Sequence, residues 1–517
     1  PVLPTVLAAQ LTLTDGKATT GLALPGLTAR PAPDGGLLVH GTTLVLGAGE
    51  ADHLLLTADD KWFLADGLPT TPTTPLDFSR SLATIHADGL HIRPDQLLPN
   101  ADRIHDLAIT LAVAEAAGVA AWCLRTATDY AKTREQFGRP IGSFQAVKHL
   151  CADMLCRVEQ AVALAWDAAR AYADGPAQHS IATAAAAAIA FDAAVDNAKD
   201  CIQILGGIGF TWEHDAHLYL RRALALRQLF GGGPFWRQRT ARLALSGARR
   251  DHTVHIPTDR TEIRATVAAI AARPPAEHRA ALAETGYLTP HWPKPYGTAA
   301  TPAEQLAIDE ELAAAGIRRP DLVIGGWAAP TILRHGTPEQ CARFIAPTLR
   351  GDITWCQLFS EPDAGSDLAS LRTRADRVPD GWRLTGQKVW TSLATKANWA
   401  ICLARTDPTA PKHRGISYFL VDMRSAGIDI RPLREITGDA VFNEVFLDNV
   451  FVPDDCLVGP EHGGWPLART TLANERVAMG RGSTLDDAME RLLAMTHDPA
   501  DHERLGALTA QGMATSL

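Results

Sequence analysis

The chain has 517 residues, 46% of them hydrophobic, 21% charged and 6% aromatic. That composition excludes a mainly disordered or fibrous chain, and the length asks for several domains. Its 49 basic and 58 acidic residues leave a net charge of −9 without a long basic run, which argues against nucleic acid or an anionic membrane surface as partner.

In chain order, residues 1 to about 70 read as short strands and turns, with apolar runs at Leu37 to Val39 and Leu54 to Leu56. Residues 71–100, punctuated by Thr and Pro, read as a connector. From Ala101 to about Arg250 the pattern is helical. Val147, Leu150, Met154, Val158, Val162 and Trp166 recur in steps of three or four and mark one buried stripe of a helix over Gln145 to Asp174. A second long helix is expected from an N-cap at Ser180 to Gly206-Gly207. Residues 251–260 are the expected linker. Helices return from about Thr261 to Leu349. Strands follow at Trp382-Arg-Leu-Thr, Trp399 to Ala404, Ile416 to Val421 and Val445 to Val452, and a helical pattern resumes at Trp465.

No run of 18 apolar residues occurs. The most apolar tract, Ile181 to Phe191, contains Thr183 and is closed by Asp192, so no membrane span is expected. The chain opens at Pro1 without a signal-peptide pattern and is read as beginning inside a longer protein. Its eight cysteines (123, 151, 156, 201, 341, 356, 402 and 456) include no C-x-x-C pair and fit a reduced, cytoplasmic setting. His214 and His217, beside Glu213 and Asp215, read as a polar loop, and no metal site is expected.

An internal repeat is visible. Pro33-Asp34-Gly35, His40-Gly41 and Ala51-Asp52-His53 parallel Pro379-Asp380-Gly381, Thr385-Gly386 and Ala397-Asn398-Trp399. Two copies of one unit are therefore expected, the first lacking its start and the second its end.

Five motifs carry the chemistry. They are Cys356-Gln-Leu-Phe-Ser-Glu-Pro-Asp-Ala-Gly-Ser-Asp367, Lys388-Val-Trp-Thr-Ser392, Val445-Phe-Leu-Asp-Asn-Val-Phe-Val-Pro453, Arg134-Glu-Gln-Phe-Gly-Arg-Pro-Ile141 and Gln203-Ile-Leu-Gly-Gly-Ile-Gly-Phe210. Together they resemble the acyl-CoA dehydrogenase family. The resemblance implies an α+β fold of helical bundle, β-barrel-like domain and helical bundle, here duplicated in one chain. Its expected segments are 1–95 (degenerate middle β-domain of copy one), 100–250 (C-terminal helical domain of copy one), 256–352 (N-terminal helical domain of copy two), 353–465 (middle β-domain of copy two) and 466–517 (start of its C-terminal helical domain).

The same resemblance implies FAD as cofactor. The flavin ring would be held by Gln357, Leu358, Phe359, Ser360, Gly365, Ser366, Trp390, Thr391 and Ser392. The turn around Ser360 and Gly365 has the backbone donors and the bare chain that let a flat ring come close. The nucleotide end would be held by Arg134 and Phe137, a guanidinium for the pyrophosphate and a face for adenine, and by Gln203, Gly206 and Gly207. In ordinary family members these two sets come from neighbouring subunits. Here the first is intact only in copy two and the second, in this chain, only in copy one. A fused pseudo-dimer with one FAD site between its halves is therefore expected, Val45-Leu46-Gly47 standing about where Trp390-Thr391-Ser392 would be.

The implied reaction converts an acyl-CoA to the trans-2-enoyl-CoA and needs a carboxylate for the α-proton. Family members carry that Glu either in an early helix or in a late loop. Copy one has no acid at either place, Ala108 on its helix and Leu229-Phe-Gly-Gly-Gly233 in its loop. Copy two offers Glu475 in Asn474-Glu475-Arg476; its late loop would fall after residue 517. Ser366, Asn474 and Arg476 are the expected acyl-CoA contacts. The half-intact pattern further resembles the fused actinobacterial enzymes of steroid side-chain (cholesterol) catabolism, with branched or long-chain fatty acyl-CoA as the alternative substrate. An electron-transfer flavoprotein is the expected acceptor, and a homodimer of fused chains the expected assembly. An oxidase or monooxygenase of the same fold, and a scaffold without flavin, are the readings from other classes.

Overall fold

Stretches of period-two hydrophobicity alternate along the chain with stretches of helical period, and the elements follow that alternation. The computed structural model describes residues 2–11, 18–59, 61–251, 259–480, 486–495 and 498–517. It divides into two units, residues 1–253 with 484–517, and residues 254–483.

The first unit opens with a helix, α1 (Val2–Gln10), where strands and turns were expected. An eight-stranded sheet follows, made of β1 (Thr20–Ala23), β2 (Leu27–Pro31), β3 (Leu37–Leu46), β4 (His53–Ala58), β5 (Lys61–Asp66), β6 (Thr71–Thr73), β7 (Leu82–Ile92) and β8 (Leu97–Leu98). The expected connector at 71–100 is thus largely strand. β7 buries Ala83, Ile85 and Ala87 on one face, an alternation carried mostly by alanine and hard to see beside so many Thr and Pro. β6 is an exposed edge strand and so accommodates Pro72.

The chain then enters a helical bundle: α2 (Ala101–Thr133), the short hairpin β9 (Glu135–Gln136) and β10 (Arg139–Pro140), α3 (Gln145–Ala171), α4 (Pro176–Leu205), α5 (Ala216–Leu229) and α6 (Gly233–Leu245). α4 begins a turn earlier than Ser180, with Gly175 as cap and Pro176 at the first helical position, where a missing N–H costs nothing. The Ser180 hydroxyl instead donates to the Asp106 carboxylate. Gly206, left-handed at φ 64°, ends the helix as expected.

Contrary to the sequence expectation, α2 and α4 are both long and apolar enough to cross a membrane. A mean over 18 residues passes where an unbroken apolar run does not. Their apolar windows are 61% and 83% buried within the bundle, as in core helices. α4 is buried nearly all round by Ala184, Ala185, Ala186, Ala187, Ala190 and Ala194.

The second unit starts with α7 (Thr261–Ala271), α8 (His278–Thr285), α9 (Pro302–Ala314), α10 (Gly325–His335) and α11 (Pro338–Arg350). Thr301 and Thr337 cap α9 and α11, each in a reciprocal box with the residue three positions on, Glu304 and Gln340. The second eight-stranded sheet is β11 (Trp355–Leu358), β12 (Arg374–Val378), β13 (Gly381–Ser392), β14 (Trp399–Arg405), β15 (Ile416–Asp422), β16 (Ile428–Pro432), β17 (Phe442–Pro453) and β18 (Leu457–Val458). α12 (Gly464–Gly480) closes the unit. α13 (Asp486–Leu493) and α14 (His502–Ser516) belong to the first unit, so the expected segment 466–517 is divided. There Arg237 meets Glu503 at 2.7 Å, and Arg249 meets Glu490 at 2.7 Å. The expected linker lies mostly at 252–258, outside the described residues.

The two sheets share one topology. β1 runs parallel to β4 with Thr20 opposite His53, as β11 runs parallel to β14 with Trp355 opposite Trp399. β2 and β12 each lie between the long third strand and the fourth. Counting along the paired strands sets Leu22 at the place of Gln357 and Thr43 at that of Lys388.

The alanine face of α4 leaves no room for larger side chains. Ala186→Leu should destabilise the first unit by about 1–3 kcal/mol. Urea unfolding of the two chains should show the midpoint falling, with the slope unchanged.

Candidate active site

The sequence Phe359-Ser360-Glu361-Pro362 leaves β11 and turns at once. Glu361 and Ala364 exchange both backbone hydrogen bonds, at 3.1 and 3.0 Å. Leu358 and Phe359 point into the core, Phe359 meeting Tyr418 edge-on at 6.0 Å, so these two residues offer a ligand their main chain alone. Gly365 and Ser366 are exposed beyond the turn. A Cβ added to Gly365 would meet nothing within 4 Å. Asp367 holds the far side of the loop through Lys412, at 2.8 Å.

Beneath this loop sits a buried ion pair that the sequence reading did not single out. Lys388 on β13 is fully buried, and its Nζ lies 2.8 Å from Glu361 Oε1. It also donates to the carbonyls of Phe359 (3.1 Å) and Leu403 (2.8 Å), which uses all three of its N–H groups. Glu361 accepts two backbone N–H groups besides, from Arg372 (2.6 Å) and Thr373 (2.9 Å). Burial alone would raise the Glu361 carboxyl. The Lys388 charge and these hydrogen bonds outweigh it and hold the carboxyl below the usual range. A lysine two residues before Trp390 and a glutamate after Ser360 were both in the quoted motifs; nothing in their spacing says that they meet.

Past Lys388 the register of β13 against β17 slips by one residue before Thr391, a β-bulge. Trp390 occupies it with φ 59° and stays 61% exposed, its edge on Phe442 at 6.0 Å. The left-handed backbone is costly for so bulky a residue and is held by its neighbours: Val389 N–H donates to Ser360 O at 2.9 Å, and Asn443 Nδ2 donates to Thr391 O at 2.9 Å. Thr391 is buried, and its hydroxyl has no partner among the described residues. Ser392 is half-buried at the strand end.

Glu475 stands on α12. Thr471, one turn before it, bonds Thr331 of α10 at 2.9 Å and the Tyr418 hydroxyl of β15 at 3.1 Å, fixing the rotation of the helix about its axis. Burial pushes the Tyr418 phenol up, so it stays a neutral donor. Glu475 Oε2 accepts from Gln357 Nε2 at 3.1 Å. The structure thus brings Glu475 together with one residue expected at the flavin. Asn474 bonds its own helix at Thr470 O (2.9 Å), and Arg476 is exposed.

In the first unit, Arg134 caps α2 and is exposed. Phe137 and Gly138 form the two-residue turn between β9 and β10, both left-handed (φ 54° and 74°), and Phe137 is 92% exposed. Gln203 is exposed in the last turn of α4. Gly207 follows with nothing within 4 Å of an added Cβ. Among the described residues no group of three His, Cys, Asp or Glu could hold a metal. His214 accepts from Ala216 N–H at 3.0 Å, and His217 stacks on Trp212 at 4.5 Å.

Copy one keeps a cavity of about 670 Å³ lined by Leu22, Leu24, Ala108, Leu229, Phe230 and Gly231 among others. The helix position and the late loop, the two places searched for a base, therefore do face one space. Asp59 and Asp102 also line this cavity, so it is not free of carboxylates. The loop that carries Gly365 and Ser366 has no equivalent: β1 and β2 are joined by 24–26 alone, against 359–373 in copy two. Val45 pairs regularly with Ala83, without the bulge that presents Trp390.

The acyl-CoA dehydrogenase C-terminal domain matches residues 109–245, the N-terminal domain 259–352 and the middle domain 356–450. The chain is 56% identical to acyl-CoA dehydrogenase FadE34 of Mycobacterium tuberculosis over 537 residues, covering all of this chain and 75% of that protein. Acyl-CoA dehydrogenase IpdE1 of the same organism is 42% identical over 238 residues, 43% of this chain and 61% of its own length. The crystal structure of the ChsE4-ChsE5 complex from Mycobacterium tuberculosis is 30% identical with a TM-score of 0.38, covering 52% of this chain and 78% of that one. The chain belongs to the acyl-CoA dehydrogenase family of oxidoreductases.

Glu361→Gln strands a buried ammonium and should cost about 3–5 kcal/mol, whereas replacing both partners by apolar residues should cost less. The lowered carboxyl stabilises the fold fully above its ordinary value of 4.5 and loses that contribution as pH falls through the depressed folded value. Urea midpoints of wild type and Glu361→Gln, measured from pH 7 downward, should therefore converge in acid.

Proposed function

We propose that the chain oxidises an acyl-CoA thioester to its trans-2-enoyl-CoA, with Glu475 as the base. One observation carries the reading: the Glu475 carboxylate, half-buried and bonded to Gln357, lies in the unit that keeps both the Ser360 loop and the Trp390 bulge.

The residues present fit FAD. Gly365 and Gly207 border open space, and neither packing nor a left-handed backbone asks for glycine there. Trp390 and Phe137 are large aromatics held outward on left-handed backbones. Such positions suit close approach and stacking of a flat ligand. Ser360, Gly365, Ser366 and Trp390 to Ser392 would hold the ring; Arg134, Phe137, Gln203, Gly206 and Gly207 would hold the nucleotide end. When bound, FAD supplies the acceptor for the β-hydride. Glu475 takes the α-proton, and the exposed Arg476 beside it offers a charge to the CoA portion.

The finer reading is a steroid side-chain acyl-CoA as substrate and an electron-transfer flavoprotein as acceptor, with fused chains paired as a homodimer. The substrate reading is supported by one copy with loop, bulge and Glu475 and another that lacks the loop and the bulge and has Ala108 at the helix position of the base.

Steroid side-chain and long-chain or branched fatty acyl-CoAs should be compared with a dye acceptor, aerobically and anaerobically. Faster turnover of the steroid thioesters, with slow reoxidation by air, is expected; fast reoxidation would assign an oxidase, and preference for fatty thioesters would overturn the steroid reading. Glu475→Gln should lower kcat by about 10²–10⁴-fold. Flavin content should be about one FAD per chain, given a single intact set of ring residues, and Arg134→Ala should lower it; two per chain would contradict the loss of the site in copy one.

A further inference from the structure

The Gln357 amide is held at both ends. Its Oε1 accepts from Trp327 Nε1 at 2.6 Å, and its Nε2 donates to Glu475 Oε2 at 3.1 Å. An indole N–H can only donate. It therefore fixes which end of the amide is oxygen and leaves the NH₂ no choice but to face Glu475. All three side chains are half-buried, so the contacts are partly shielded from competing water. The helices that carry the outer two are locked to each other one turn away, where Thr331 meets Thr471 at 2.9 Å. Trp327 and Thr331, and likewise Thr471 and Glu475, are i, i+4 pairs on their helices.

We propose that Trp327 and Gln357 form a positioning relay for the base, Trp327 setting the amide's orientation and Gln357 setting that of the Glu475 carboxylate. The inference rests on the reading of Glu475 as base and adds two residues to it. Gln357, expected at the flavin, spends its side chain on the base; its main chain remains available to a ligand. Copy one supplies an independent observation. Leu22 occupies the position of Gln357 and can neither donate nor accept, and it lines the same cavity as Ala108, the residue that stands where an acid would be. The acid and the amide that would orient it are missing together.

The test uses Gln357→Leu, Gln357→Glu, Trp327→Phe, the double variant Trp327→Phe/Gln357→Leu, and Glu475→Gln, all as flavin-loaded protein with an acyl-CoA that the wild type turns over. Two rates are read: kcat with a dye acceptor, and exchange of the α-proton with solvent deuterium, which reports the base without hydride transfer. Gln357→Leu should lower both by about tenfold to a hundredfold, the scale of a misplaced catalytic group, with KM within about threefold. Gln357→Glu should do no better, because it keeps the shape but sets a second carboxylate against Glu475. Trp327→Phe should lower both rates in the wild-type background and change nothing further in Gln357→Leu, because the indole acts only through the amide. A full additional loss in the double variant would overturn the relay, as would a rise in KM with kcat unchanged. Thermal unfolding separates a variant that fails to fold, and Trp327→Phe, which keeps the packed ring, then carries the test. The two readings fail differently: turnover and exchange surviving in Glu475→Gln would remove the base itself, whereas an inactive Glu475→Gln beside a Gln357→Leu of wild-type rates would remove only the relay.

Discussion

A fully buried lysine ammonium is the constraint around which the second unit's loop is arranged. Lys388 is tolerated because each of its three donors meets an acceptor, one of them a carboxylate. That carboxylate, Glu361, is bound in turn by the backbone of Arg372 and Thr373. The pair thus ties together the start of the 362–372 loop, its end and the strand that leads to Trp390. Its net contribution to stability can be small. Its directional demand is large, since any displacement of the loop leaves charge unpaired in the core. The loop is also pinned by its own buried Ala364, Leu368, Ala369 and Leu371, and the buried charges add a directional tie from below.

The same anchoring explains how a tryptophan persists at φ 59°. Such strain survives only where the surroundings over-determine the backbone. Lys388 fixes the strand two residues before it, the Val389 N–H fixes the next residue, and Asn443 grips the carbonyl of Thr391 just after it. The bulge supplies the extra residue, and the ring is left outward.

Much of this was legible in the sequence. The strands at Trp399, Ile416 and Val445 and the helices at Gln145 and Trp465 announce themselves by period, although Trp166, expected at the end of the buried stripe of the first of these helices, is 75% exposed; the repeat emerges from Asp-Gly and Gly landmarks that turns require. Other features were hidden for physical reasons. β7 alternates alanines too small to give a strong period, and β6 carries a proline that reads as a loop residue. α4 begins at Pro176 because a Gly-Pro pair can start a helix as well as stop one. At the site, the family motifs named the stretch expected at the ring, but not what its members bond to. Gln357 looked like a flavin contact and is bonded to Glu475; Glu361 and Lys388, 27 positions apart, form the ion pair. Contacts across a sheet depend on register, which no local spacing reveals.

Copy one shows what the ion pair requires by its absence. Thr43, at the position of Lys388, is buried and its hydroxyl donates to Leu24 O, the same acceptor that Phe359 O provides in copy two. The polar bond to that carbonyl is kept; both charges are gone, since the short link 24–26 carries no acid. Removing only one member would have left a buried, uncompensated charge, the most destabilising outcome available. Removing both avoids a stranded charge, and in this copy β1 joins β2 through 24–26 alone. Val45 likewise lies in regular register opposite Ala83. Loop, bulge and buried charge are thus present together in copy two and absent together in copy one, while the parallel pairing of the first strand with the fourth is kept in both.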